Sequence, residues 1–158
     1  MINIYDIARN ENLLPKLVKV GEYKVERKIT SENDTLIDFI HNTMKVNQYD
    51  NEHLYLISMD MYDRALGVFL LSIGTYKECE TSKRNIAECL VLSGARHFIM
   101  IHNHPDGALS LSEGDEQFAR SMKELAELLE IEFVGSFVIT NDGIICNGMD
   151  KPVKFKRR

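Results

Sequence analysis

At 158 residues, with 44% hydrophobic and 27% charged side chains, the chain has the composition of one ordinary globular domain with room for a full core. No apolar run approaches the length needed to span a bilayer, and the opening MINIYDIARNEN carries acids and no signal-peptide pattern, so the expected compartment is the cytoplasm. The net charge is −5, and Lys151, Lys154, Lys156, Arg157 and Arg158 supply five positive charges at the end, leaving −10 on residues 1–150, which argues against a broad nucleic-acid footprint on the body.

Residues 1–16 read as a poorly periodic leader, a short helix at most, ending near Pro15. Leu17 to Lys28 partly alternates and predicts an edge strand or hairpin. Ser31-Glu32-Asn33-Asp34 is a helix-start pattern, and Leu36, Ile37, Phe39, Ile40 and Met44 follow at helical spacing to about Lys45. His53–Asp60 and Ala65–Gly74 form a hairpin around Met61–Arg64. Gly74–Ser82 is irregular or a short strand. Lys83–Ser93 is a helix with Ile86, Leu90 and Val91 on one face and Gly94 as its C-terminal cap. Arg96–His102 is a short continuous apolar run, the mark of a strand buried on both faces. Phe118, Met122, Leu125, Ala126, Leu128 and Leu129 mark a helix from Ser112 to about Glu130. Phe133–Thr140 and Ile144–Asn147 flank an Asn141-Asp142-Gly143 turn. This order predicts an α/β fold, a mixed central β-sheet flanked by helices, with a site at the C-terminal end of one buried strand.

The chemistry concentrates in Ile101–Asp115, IHNHPDGALSLSEGD. Alternation along an extended segment sends His102 and His104 to one face and Asn103 to the other. A loop through Pro105 and Gly107 turns the chain back, and Asp115 can supply a third ligand. Two histidines, one carboxylate and an open position describe a catalytic zinc site rather than a structural one. Ser112 and Asp115 also stand at capping-box positions, so a helix-capping role and a site role are both open, and the two can coexist. The three cysteines, Cys79, Cys89 and Cys146, have no C-x-x-C spacing and read as reduced, buried thiols; Cys79 is a distant candidate for chemistry.

HNHPDGALSLSEGD resembles the H-N-H-P-S-G…S-x-x-D signature of the RadC-like branch of the JAMM (MPN, JAB) zinc metalloprotease superfamily. Asn51-Glu52-His53-Leu54 is similar to the family's R-E-H-F segment, and Ile73-Gly74-Thr75 to its glycine–threonine step. The resemblance runs from about Glu52 to Ile139 and implies the JAMM/MPN, cytidine-deaminase-like architecture. It implies Zn2+ held by His102, His104 and Asp115, Glu52 as general base for the attacking water, and Ser112 as oxyanion donor. From composition alone Glu52 does not stand out from Glu78, Glu80 or Glu88. The implied reaction is hydrolysis of a peptide or isopeptide bond in a peptide or protein substrate.

The sequence departs from the family at five positions. Lys83-Arg84-Asn85 replaces a proline–arginine–glutamate step, Asp106 a serine, and Gly135-Ser136 an aspartate–histidine pair. Asp106 adds negative charge that disfavours acidic substrates if it faces the site. The helix-hairpin-helix module of longer RadC proteins has no counterpart in residues 1–45, expected as a strand-plus-helix segment packed on the core. Residues 46–150 are expected as the RadC-like domain and 151–158 as a basic, solvated tail, the whole forming one compact domain. Two other functions compete with the hydrolase. One is a DNA-repair-associated accessory protein, supported only by the Lys154–Arg158 tail and testable by salt-dependent DNA retention. The other is a binding module that keeps the fold without catalysis, which the complete ligand set argues against.

Overall fold

The computed structural model describes residues 1–74 and 81–156, and only the backbone at Asn33. Eight strands form one mixed sheet: β1 (Ile2–Arg9), β2 (Pro15–Tyr23), β3 (His53–Met59), β4 (Ala65–Ile73), β5 (His97–Asn103), β6 (Glu132–Ile139), β7 (Gly143–Cys146) and β8 (Val153–Lys154). Their order across the sheet is β2-β1-β4-β3-β5-β6-β7-β8. The pairs β1–β4 and β5–β6 are parallel; the others are antiparallel. The helices are α1 (Asn33–Asp38), which continues into a π-helical turn at Phe39–Met44, α2 (Lys83–Leu92) and α3 (Glu113–Leu129).

The period-2 alternation of the central strands feeds two cores, one per face. Ile57, Ile99, Ile101, Ile139 and Ile144 meet Leu36, Phe39, Ile40 and Met44 from the α1 segment. Leu56, Phe69, Phe98 and Met100 meet Ile86 and Leu90 of α2 and Met122, Leu125 and Ala126 of α3. Every residue of β3 is buried, and β5 is buried from Phe98 to Asn103, as expected of strands covered on both faces.

Several expectations are corrected. Residues 1–16 are not a helical leader: Ile2–Arg9 pairs antiparallel with Pro15–Tyr23 and parallel with β4. Its alternation is obscured because both faces of this strand are only partly covered. The edge strand expected from Leu17 is β2. The cap of α1 is Glu32, with no side-chain cap hydrogen bond, and Ser31 stays outside the helix. The segment still stops at Lys45, in the left-handed region at φ 55°. On α2, Val91 points outward at 66% exposure and Cys89 takes its place in the core, while Leu128 of α3 is 79% exposed. The basic tail is not simply solvated. Val153 and Lys154 pair with Ile144 and Gly143, and the Phe155 ring stacks on His41 with centroids 3.9 Å apart. The Lys154 side chain itself remains exposed.

The hairpin β3–β4, the strand β5, the helix α3 and the Asn141-Asp142-Gly143 turn stand where the sequence predicts them. Ser82 caps α2 by accepting from Asn85 N at 3.1 Å, and Gly94 follows the helix at φ 68°. Most of the irregular stretch Gly74–Ser82, residues 75–80 with Thr75 and Cys79, lies outside the described residues, as do Arg157 and Arg158. No helix among the described residues is long and apolar enough to cross a membrane.

Candidate metal centre

The site forms where β5 ends, and three elements converge on it. β5 pairs with β3 so that His102 lies opposite Leu54, two residues past Glu52. The side chains of His102 and Met100 share a face, and α3 covers that face, so the strand delivers His102 to the start of the helix. The loop after His104 begins with His104 N donating to Ile139 O at 3.1 Å, which ties it to the end of β6. Gly107, at φ 80°, makes the turn that brings the chain back to α3.

α3 opens with a complete capping box. Ser112 Oγ accepts from Asp115 N at 3.0 Å, and Asp115 Oδ2 accepts from Ser112 N at 2.8 Å. The box fixes the Asp115 rotamer, and the same carboxylate faces both histidines. Its Oδ1 lies 2.9 Å from His102 Nε2 and its Oδ2 lies 3.1 Å from His104 Nε2. Capping and site geometry therefore coexist in one residue. Ser112 Oγ is occupied as an acceptor, and its own O–H can donate outward from an exposed position.

His104 Nδ1 stands 2.8 Å from Ala108 O and can only donate to that carbonyl. In the neutral ring Nε2 then carries the lone pair, the tautomer a metal ligand needs. His102 is 3% exposed. The candidate ligand atoms of His102, His104 and Asp115 all lie within 4.8 Å of one another, so this group could hold a metal ion. Each Asp115 oxygen faces one imidazole nitrogen, at 2.9 and 3.1 Å, and two imidazoles with one carboxylate suit zinc. The donor set fits the metal.

Glu52 lies just before β3, with its Oε1 3.9 Å from His102 Nε2, so the structure brings all five predicted residues to one place. Burial raises the Glu52 carboxyl above its usual range, aided by the charges of Asp115 and Asp106 and opposed by the two histidines. Burial also acts to raise Asp115, but hydrogen bonds with His102 and His104 and from Ser112 N outweigh it and hold that carboxyl far below the usual range. For His104, burial alone would lower the imidazole; the bonds to Asp115 and Ala108 O and the charges of Asp115 and Glu52 raise it instead. The two carboxylates are thus pushed apart, one fixed as an anion and one made more basic.

An open groove of about 730 Å³ lies beside His104, lined by Tyr49, Asp50, Pro105, Gly107 and Asp142 among others. Asp106 is exposed at the turn, where its Oδ1 accepts from Ala108 N at 3.0 Å, and its charge reaches Glu52. The other departures also have physical readings. Arg84, the residue of the Lys83-Arg84-Asn85 step that still matches the family, pairs with Glu88 on the surface, its side chain 85% exposed, and Asn85 donates its backbone N–H to the Ser82 cap. A Cβ at Gly135 would sit 2.5 Å from Cys146 Sγ, so the cysteine fills the space that a side chain there would need. Ser136 is buried, and Asn147 Oδ1 accepts from its N–H at 2.7 Å.

Sequence reasoning missed Asn103, seen only as pointing away from the histidines. Its side chain is buried beneath the Glu52 segment and bonds to it three times. The available signal was a polar side chain on the buried face of an apolar strand, which must find partners.

A mixed sheet that presents two histidines from a strand end and an aspartate from the next helix start, a group that could hold a metal ion, is the arrangement of an α/β domain of JAB/MPN type. The RadC-like JAB domain family matches residues 29–149, and the chain belongs to that family. It is similar to a UPF0758 protein of Chlorobaculum parvum, 25% identical over 118 residues that cover 75% of this chain and 52% of the relative. It is also similar to a UPF0758 protein of Aromatoleum aromaticum, 27% identical over 97 residues, 61% of this chain and 43% of the relative. A UPF0758 protein of Trichormus variabilis is 30% identical over 92 residues, 58% of this chain and 38% of the relative. The chain spans about half the length of the curated relatives it matches, or less.

Proposed function

We propose that the protein is a zinc-dependent hydrolase of the JAMM type that cleaves a peptide or isopeptide bond. The observation that carries the reading is the convergence of Glu52, from the segment that leads into β3, on the His102–His104–Asp115 group. His102 Nε2, His104 Nε2 and an Asp115 oxygen would hold the metal. Bound zinc supplies Lewis-acid polarisation of a carbonyl and brings the pKa of water to about 7.

Glu52 takes the proton from the attacking water, a role that suits a carboxylate whose basicity burial has increased. It then returns that proton to the departing amine nitrogen, so no net proton is lost. Ser112 donates its O–H to the carbonyl oxygen as negative charge develops there. Asp115 would keep its hydrogen bond from Ser112 N, which fixes the carboxylate while one of its oxygens faces the metal. The groove beside His104 gives the substrate chain a place to lie across the site.

The test combines metal analysis with cleavage of a mixed peptide library read by mass spectrometry. The protein purified without chelator should carry about one zinc per chain, as a three-ligand open site does. Glu52→Gln should keep that zinc and lose cleavage by at least about 10²-fold, the low end for removing a general base. A Glu52→Gln protein that cleaves at the original rate would refute the role of the base. A protein that retains no zinc would refute the metal centre.

A further inference from the structure

We infer that Asn103, the residue between the two histidines, is a positioning residue that sets the backbone of Glu52 and so aims the base at the metal ligands. This rests on the hydrolase reading. Asn103 is 1% exposed and points to the face opposite His102 and His104. Its Oδ1 accepts from His53 N at 2.7 Å, and its Nδ2 donates to Asn51 O at 3.0 Å and to Tyr49 O at 3.1 Å. The amide has one working orientation, because one partner is a donor and two are acceptors.

The position of these contacts matters more than their number. The Asn51 carbonyl belongs to the peptide group before Glu52, and the His53 N–H belongs to the peptide group after it. One side chain therefore holds both peptide planes that flank the Glu52 Cα, leaving φ and ψ of the base little freedom. Gly74 N adds a hydrogen bond to Glu52 O at 2.8 Å. The same triplet, His102-Asn103-His104, then carries two ligands forward and the anchor of the base backward, using the alternation of a strand to fix their relative positions. The contact at Tyr49 extends the hold to the lining of the groove.

The segment has other ties that keep it folded without Asn103. His53 Nδ1 lies 2.9 Å from Asn51 O, and the Tyr49 and His53 rings stack with centroids 3.9 Å apart. Removing the amide should loosen the aim of Glu52 rather than unfold the protein.

The experiment measures amide hydrogen exchange, zinc content and cleavage of the peptide library on the full chain. In Asn103→Ala the His53 amide should exchange about tenfold faster or more, while amides of Ile99–Ile101 stay within about twofold. Zinc per chain should match the unsubstituted protein. The kcat should fall about 10²-fold with KM moving less, the scale of a 1 Å misplacement. In a Glu52→Gln background, Asn103→Ala should cost no more than about threefold further, because its effect passes through the missing base. Asn103→Asp keeps the acceptor for His53 N but sets a carboxylate against two carbonyls, so His53 stays protected while kcat still falls. Unchanged His53 exchange with unchanged kcat would overturn the inference. So would uniform acceleration across β3, β5 and β6 with losses additive to Glu52→Gln, which would mark a general packing role. If the chain binds no zinc and cleaves no peptide, the hydrolase reading fails, and the inference, which rests on it, is overturned with it; the His53 exchange then shows only whether Asn103 holds the segment.

Discussion

Asp115 closes a capping box and faces both histidines, and the two roles can be separated by substituting at either end of the box. Zinc at about 100 times its dissociation constant should stabilise the fold by about 2.7 kcal/mol. For a chain of this size each kcal/mol moves Tm by about 2–4 °C, so added zinc should raise Tm by about 5–10 °C over the chelated protein. Ser112→Ala removes the acceptor for Asp115 N, a cap worth about 1 kcal/mol, and should lower Tm by about 2–4 °C with and without zinc. Its zinc-induced rise should persist. Asp115→Asn keeps an amide oxygen for Ser112 N but loses the anion that faces two imidazoles, so its rise should vanish. Thermal melts of the three proteins with zinc and with chelator decide the matter. A full zinc-induced rise in Asp115→Asn would refute the placement of the metal. Its loss in Ser112→Ala would show that cap and site are not separable.

Two further predictions concern parts of the fold distant from the chemistry. Asp60 closes the β3–β4 turn by accepting from Tyr62 N at 2.8 Å, Arg64 N at 3.0 Å and Arg64 Nε at 2.7 Å. Burial acts to raise its pKa, but these bonds and the charge of Arg64 together outweigh it, and the pKa is lowered. Its contribution to stability is therefore present above the unfolded carboxyl value and is lost as pH falls through the lower folded one. Asp60→Asn should be less stable than the unsubstituted chain at neutral pH, and denaturant melts should show the gap closing in acid; a gap constant with pH would refute the reasoning. Gly135→Ala should be strongly destabilising because its methyl would meet Cys146 Sγ at 2.5 Å. Adding Cys146→Ala should recover part of that loss, and simple additivity in a double-mutant cycle would show that the two side chains do not compete for one space.

The sequence states most clearly what local chemistry enforces. The apolar run into His102, the Ser112–Asp115 box, the Asn-Asp-Gly turn and the Gly94 end of α2 are each decided within a few residues, and each is found in place. What the sequence hides is set by distant partners. β1 has no clean alternation because it lies near the sheet edge, with its faces half covered. Val91 and Leu128 are apolar but face outward, since helical spacing defines a stripe without saying how wide the neighbouring sheet makes it. The tail reads as solvated because two residues of pairing and one ring stack leave no periodic trace.

Glu52 illustrates the same division within the site itself. Its distance from the histidines in sequence is about fifty residues, and nothing in its own neighbourhood marks it. The resemblance to the RadC-like family singled it out, and the register of β3 against β5 shows how it arrives. The strand pairing reaches Glu52 through Gly74 N, which donates to its carbonyl, although Glu52 precedes the first strand residue. The added constraint comes from Asn103, whose amide bridges the peptide groups on both sides of it. A buried asparagine between two candidate ligands has to satisfy its own hydrogen bonds, and in doing so it couples the position of the Glu52 segment to that of the histidines. The geometry of the centre is thus set from both faces of one strand: histidines and a capped helix on one side, an amide and the base-bearing segment on the other.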